Sequence, residues 1–331
     1  MLLAFIVCCL FSGAVIAQKK PVDIIFDTDM GPDYDDVGAI AMLHAMADKG
    51  ECRILATVAS NRHPWVAADL SVLNTYFGRP DIPIGVVSGK CLAIPAVQRW
   101  DSLIASEYPH QISSNEQAVD AVALYRKLLS AAKDHSITIV TVGFFTNMAN
   151  LLLSSPDQYS SLDGASLVAL KVKQLVSMAG RFDSEKENFR EFNVKEDAAA
   201  SQTVFDKWPV PILFTGFEIG AAIHTGLPIM HNAAIQHSPV KDVFARCIPM
   251  DANDKNGRMS WDETAVLVAV RGIGPWFKHV SGQIISHPDG SNGWDPAGTR
   301  DRYLVRVMPI PAIEKIINDL IMHQPAAKAV N

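Results

Sequence analysis

The chain has 331 residues, of which 49% are apolar and 19% charged, a balance that predicts a soluble globular protein with a large core. A formal charge of −6 and a pI near 5.9 count against a non-specific polyanion binder, because phosphate contacts need a basic face. A nucleic acid polymer is therefore not the expected partner, whereas single nucleosides stay open.

The N-terminal run MLLAFIVCCLFSGAVIA ends in small residues and reads as a secretory signal over 1–17, cleaved near Gln18, which predicts a secreted or periplasmic protein. It is too short for a stable membrane span, which needs about 20 residues. Cys8 and Cys9 raise a lipoprotein alternative, but Val7 is bulky where a lipid-modified signal prefers a small residue. Cys52, Cys91 and Cys247 are spaced too widely for a zinc pattern and read as buried small apolar residues.

Beyond the leader, VDIIF, RILATVA, ITIVTVG, KQLVSMA and VPILFTG predict strands buried on both faces. Helical patterns fall between them at about 36–48, 64–77, 115–133, 146–154 and 197–207, and IPAIEKIINDLIMHQ predicts a closing helix. Met42, Leu43 and Met46 read as helix core and His44 as helix surface. Repeated βα units predict an α/β protein with a mostly parallel central sheet flanked by helices. No linker divides the chain, so 18–331 is expected to be a single domain. Parallel sheets bind ligands beyond the carboxyl ends of their strands. The residues following the strands here are Asp27 and Asp29, Ser60 and Asn61, Thr146 and Asn147, Met178, and Gly216 with Glu218.

The stretch DIIFDTDMGPDYDD places Asp27, Asp29, Asp33, Asp35 and Asp36 at the end of the first strand. So many carboxylates repel one another, and where a buried strand leaves the core a hard, oxygen-seeking cation such as calcium or magnesium is the natural remedy. An EF-hand fails, because Gly31 and Gly38 stand where its ligands belong and a strand replaces the entering helix. A magnesium-dependent phosphatase of the haloacid-dehalogenase-like class, with Asp27 as nucleophile and Asp29 as acid/base, is the alternative. It leaves Asp33, Asp35 and Asp36 without a role.

DTDMGPDYDDVGAIAML resembles the opening Asp-x-Asp-x-Gly-x-Asp-Asp motif of the nucleoside hydrolase family. Further pieces follow in the family's order: VASN, VGFFTNMANLL, SMAG, EFNVKEDAAA and SWDETAVLVA. The resemblance implies a nucleoside hydrolase-like domain that cleaves a nucleoside or related N-riboside to free base and ribose with Ca2+ as cofactor. It implies calcium ligands at Asp29, Asp36, Asp262 and the Thr146 carbonyl, with Asp33 a further candidate, and Asp29 as the base that takes a proton from water. Asp27 would orient this group from behind. Asp35, Asn61 and Asn193 would hold ribose hydroxyls, Glu191 the 5′ end, and Met178 and Phe192 the sugar face, with Asn188 joining this set. Members of the family are commonly dimers or tetramers, so a homo-oligomer is expected.

Two departures stand out. Trp261 precedes Asp262 where many members carry the His that protonates the leaving base, and Pro32, Asp33 and Tyr34 separate Gly31 from Asp35 where the common pattern has one residue. Asp33 is therefore an alternative to Asp35 at the sugar. His224 and His237, with His231 and Glu218, are the candidate substitute acids, and Trp294, which could stack on a base, reads rather as a packed or surface residue. Without an acid, the same motifs would describe a calcium-dependent pentoside-binding protein.

Overall fold

The computed structural model of the chain describes residues 20–183 and 189–325; the expected leader, 1–17, lies outside them. The chain forms strands β1 (Val22–Thr28), β2 (Cys52–Ala59), β3 (Ile84–Val86), β4 (Val119–Asp120), β5 (Ile137–Thr141), β6 (Val172–Ser177), β7 (Ile212–Phe214), β8 (His224–Thr225), β9 (Arg258–Met259), β10 (Phe277–Ser286), β11 (Asn292–Asp295) and β12 (Asp301–Arg306). Ten of them make one sheet in the order β11-β10-β12-β7-β6-β5-β1-β2-β3-β4. Its pairs are parallel from β12 to β4, and β10 is antiparallel to β11 and to β12. The fold is α/β with a mostly parallel central sheet, as the alternating pattern predicts.

β1 is buried from Asp23 onward, which its apolar sequence permits only in the sheet interior. Its side chains alternate between two cores. Ile24 and Phe26 join Val140, Val176 and Leu213 on one face, and Ile25 joins Val58, Ile139, Leu175 and Ile212 on the other. The first face is covered by the helices Asp35–Asp48, Trp261–Arg271 and Ile310–Ile321. In the last of these Ile313, Ile317, Leu320 and Ile321 are buried, the i, i+4, i+7, i+8 stripe of an amphipathic helix.

From β1 the chain winds outward through β2, β3 and β4, then crosses back to β5 on the other side of β1 and continues through β6 and β7. The strand order therefore reverses between β1 and β5, and that reversal opens a crevice at their carboxyl ends.

The five expected strands are β1, β2, β5, β6 and β7. The predicted helix 115–133 is interrupted: Asn115–Gln117 is a 3-10 turn, β4 pairs with β3, and the helix proper runs Ala121–Ala131. Asp120 ends the interruption by accepting from the Ala123 amide at 2.8 Å, an N-cap that periodicity does not reveal. His44 is fully buried rather than on a surface. It stacks on Phe77 with centroids 4.7 Å apart and pairs through Nε2 with Asn74 Oδ1 at 3.1 Å, and burial lowers its pKa to about 3.

Candidate active site

Two helices begin at the crevice with acidic first turns. Asp35 and Asp36 open the helix Asp35–Asp48, and Asp262 and Glu263 lie in the first turn of Trp261–Arg271. The unpaired amides of a helix N-terminus favour negative charge, so each helix end offsets part of the repulsion among these side chains. The two helices approach closely at Gly38, where a Cβ would collide with Glu263 Oε1.

The carboxylates meet here. Asp35, Asp36 and Asp262 each offer an oxygen, and these oxygens all lie within 4.8 Å of one another. The Thr28 hydroxyl donates to Asp36 Oδ1, while Asp36 Oδ2 is buried without a hydrogen-bond partner. Asp29 completes the group. Burial raises its pKa well above the usual carboxylate range, and the negative charges of Asp36, Asp33 and Asp35 push it further. Burial likewise raises Asp36 and Asp262, to which neighbouring carboxylates add. A divalent cation favours the ionised forms and so opposes all three shifts, and the all-oxygen donor set with an orphaned Asp36 Oδ2 fits a hard cation.

Asp27 lies behind this group, fully buried, and accepts at Oδ2 from the Tyr125 hydroxyl and from Asn147 Nδ2, both at 2.9 Å. Burial raises its pKa to about 7 against those bonds. Gly143, just past β5, closes over the backbone of Asp29, and a Cβ there would strike the Asp29 amide nitrogen. The β1 and β5 ends are thus locked together beneath the acidic cluster.

A cleft of about 370 Å³ opens over these residues. Asp29, Asp33, Asp35 and Asp262 face it together with Met178, Glu191, Phe192 and Asn193. Asn193 Nδ2 donates to the carbonyls of Val142 at 2.9 Å and Met178 at 3.1 Å, which fixes its amide across the ends of β5 and β6. The Glu191 carboxylate caps its own turn, accepting from the amides of Asn193, Val194 and Gly180 at 3.0, 3.2 and 3.2 Å, and burial nevertheless raises its pKa to about 7.

Three expectations are corrected by these positions. Thr146 does not face the cleft: it opens the helix Thr146–Leu153 and its hydroxyl donates to Asp197. Val142, the first residue past β5, lines the cleft instead. Asn61 does not face it either. Its Nδ2 donates to the carbonyls of Asp29 at 3.1 Å and Ile94 at 2.8 Å, and its Oδ1 accepts from the amides of Arg62 and Ile94, so it secures the Asp29 loop from behind. Neither His224 nor His237 reaches the cleft. His224 pairs with Met259 in the β8–β9 ribbon, and exposed His237 borders a separate groove with Tyr76, Tyr108 and His323. Asn188 lies outside the described residues.

Trp261 does face the cleft, beside Phe217 with ring centroids 5.4 Å apart. Its indole N–H donates to the Phe217 carbonyl at 2.9 Å and is not free to serve a leaving group. Among the described residues lining the cleft there is no histidine. Trp294 is packed against Phe182 and Tyr303, as expected. Sequence reading misses Val142, Phe217 and the buried Arg258, which donates to Asp35 Oδ1 through Nε and Nη2 at 3.1 and 2.9 Å. Only proximity to the SWDE motif could have drawn attention to Arg258.

The family model for inosine-uridine preferring nucleoside hydrolases matches residues 24–307. The chain belongs to that family. Membership sets the phosphatase alternative aside. A pyrimidine-specific ribonucleoside hydrolase, RihA, from Klebsiella pneumoniae is 26% identical over 205 residues, which cover 58% of this chain and 59% of that protein. The match thus spans about three fifths of the relative's length. A plant nucleoside hydrolase superposes with a TM-score of 0.68 at 17% identity, covering 91% of this chain and 99% of its own. An inosine-uridine preferring nucleoside hydrolase from Bacillus anthracis gives 0.67 at 13% identity with the same coverages, 91% and 99%. At such identities the likeness carries the fold of nucleoside hydrolases, and the site rests on this chain's own residues.

Proposed function

We propose that the protein is a calcium-dependent N-ribohydrolase that releases the base from a nucleoside or related N-riboside. The observation that carries this reading is the meeting of Asp35, Asp36 and Asp262 at two helix N-termini, with Asp29 from the β1 end in charge contact with them, beneath a cleft lined by Asp29, Asp35, Asp262, Glu191, Asn193 and an aromatic wall. Asp29, Asp36 and Asp262 would hold the ion, and Val142, which lines the cleft where Thr146 does not, would offer its carbonyl. When bound, the ion anchors sugar hydroxyls and acidifies a water in its shell.

The residues supply the rest. Asp29 takes the proton of the attacking water, and Asp27, held by Tyr125 and Asn147, keeps the β1 end rigid beneath it. Asp33 or Asp35, with Asn193 and Glu191, grips the sugar, and Met178 and Phe192 shield its face from water. Breaking an N-glycosidic bond builds positive charge on the sugar ring, which the surrounding carboxylates stabilise. Phe217 and Trp261 offer a stacking wall for the departing base, and with no histidine among the described residues lining the cleft the base takes its proton from solvent.

The same reading includes export by cleavage near Gln18 and assembly as a homo-oligomer. Among the described residues no helix is long and apolar enough to cross a membrane. The test is incubation of the mature protein with a panel of nucleosides and N-ribosides, with calcium or with chelator, followed by chromatography. Calcium-dependent release of base and ribose is expected. The missing cleft histidine favours one rival, a calcium-dependent pentoside-binding protein, for which the same panel gives no release while ribose raises the melting temperature in calcium.

A further inference from the structure

A buried arginine stands inside the acidic cluster. Arg258 opens β9, and its side chain is 6% exposed. Besides its two bonds to Asp35 Oδ1, its Nη2 pairs with Asp33 Oδ1 at 2.6 Å and its Nη1 lies 3.8 Å from Asp254 Oδ2. Its Cζ sits 4.9 Å from the centroid of the Tyr34 ring and 5.0 Å from that of Trp261. The Tyr34 hydroxyl donates to Asp254 Oδ2 at 2.6 Å. Asp33 and Tyr34 belong to the lengthened first motif, so the lengthening and Arg258 form one structural unit.

A guanidinium keeps its charge at every accessible pH, so Arg258 is a permanent cation beside the cluster. It is no anion site, because three carboxylates already surround it. Its effect falls on Asp35. One Asp35 oxygen accepts from the Arg258 cation, which offsets its charge, and the other from the Asp262 amide at 3.3 Å, leaving each a lone pair for a hydroxyl donor, whereas Asp36 Oδ2 has no partner. By distance alone Asp35, Asp36 and Asp262 make a ligand triad. Bonding divides them differently. Asp33, with its side chain 44% exposed, and the buried Asp35 are the carboxylates of the Arg258 unit that line the cleft.

We propose that Arg258 is a positioning residue that partitions the acidic cluster. It withdraws Asp35 from the cation and presents Asp33 and Asp35 as a fixed pair to the substrate's hydroxyls, leaving Asp29, Asp36 and Asp262 to a single ion. This rests on reading the cleft as a site for a divalent cation and a riboside. A permanent positive charge a few ångströms from a divalent ion opposes its binding strongly in a partly buried site. Losing that charge should tighten calcium binding, while losing only the planar fork should not.

The test is calorimetric titration of calcium into the full protein and into Arg258→Gln and Arg258→Lys, together with riboside kinetics. One ion is expected in the wild type, at least ten-fold tighter binding or a second ion in Arg258→Gln, and wild-type affinity in Arg258→Lys. Because lysine cannot reproduce the fork, Arg258→Lys should raise KM at least ten-fold with kcat changed only a few-fold. Unchanged affinity and stoichiometry in Arg258→Gln, or an unchanged KM in Arg258→Lys, overturns the proposal and leaves the hydrolase reading standing. Calcium uptake by Arg258→Gln but not by the wild type supports the partition and removes calcium dependence, whereas uptake by neither overturns both. Should Arg258→Gln fail to fold, a crystal structure of the calcium-loaded wild type decides: an Asp35 oxygen within about 2.3–2.6 Å of the ion, a direct-ligand distance, defeats the proposal.

Discussion

Asp29 shows how one side chain's chemistry is set by its company. Burial raises its pKa and Asp36, Asp33 and Asp35 raise it further, so a cation is what makes it an available base. Replacing it with asparagine keeps an oxygen ligand but removes the proton acceptor. Asp29→Asn is expected to lower kcat by roughly 10²–10⁴-fold, the usual weight of a general base, while calcium still binds, more weakly. Steady-state kinetics beside calcium titration checks this, and near-wild-type turnover would remove Asp29 from its role. Glu191 supplies a pH signature of its own. Its pKa is raised from 4.5 to about 7 by burial. The folded state therefore favours the protonated form, and its contribution to stability is full below about 4.5 and lost as pH rises through about 7. In chelator, the melting temperature of the wild type should fall between pH 5 and 8, and Glu191→Gln should flatten that slope; equal slopes would show that Glu191 does not titrate there. Single residues were legible where chemistry was dense. Five aspartates in one short stretch announce a cation, but nothing about Asn61 or Thr146 in the sequence says that their polar atoms are bound to Ile94 and Asp197.

At the scale of elements, the site depends on how closely two helices pass. Gly38 lets the Glu263 carboxylate, whose oxygens have no hydrogen-bond partner, lie against the helix Asp35–Asp48. A methyl there must displace Glu263 or part the helices, and both helices carry cluster residues in their first turns. Gly38→Ala is expected to destabilise the protein by about 1–3 kcal/mol, the usual cost of overpacking a core, and to weaken calcium binding. Glu263→Ala in the same chain should restore part of the lost stability. Chemical denaturation of the single and double variants measures both, and additive effects would show that the two residues do not meet. The elements themselves were legible in proportion to their burial. β1, β2, β5, β6 and β7 are continuous apolar runs because both faces of the sheet are covered, whereas β10 has a run of exposed residues from Lys278 to Ser281 and lies near the edge, so it carries no comparable signal. β8 and β9 are two residues each and are held by pairing that no local pattern encodes. Arg258 was missed for that reason, since the short β9 is what carries it into the cluster.

For the whole molecule, the reversal of strand order beside β1 gathers residues from opposite ends of the sequence. Asp29 and Asp262 are more than two hundred positions apart, and their charges meet only once the sheet and the helices Asp35–Asp48 and Trp261–Arg271 are assembled. A cation that binds this assembled cluster has no equivalent site in the unfolded chain, so it must stabilise the fold by mass action. At a calcium concentration about a hundred times its dissociation constant the gain is about 2.7 kcal/mol. For a chain of this size that should raise the melting temperature by several degrees. Chelator should reverse the rise, and Asp262→Asn should reduce it sharply even though asparagine is nearly the same shape. Magnesium demands a tighter octahedral shell and keeps its waters, so it should give the smaller shift in a site built from protein carboxylates. Differential scanning calorimetry in calcium, magnesium and chelator makes the comparison. A calcium shift that survives in Asp262→Asn would place the ion elsewhere, and no shift at all would leave the meeting of these carboxylates without the cation that their buried charges require.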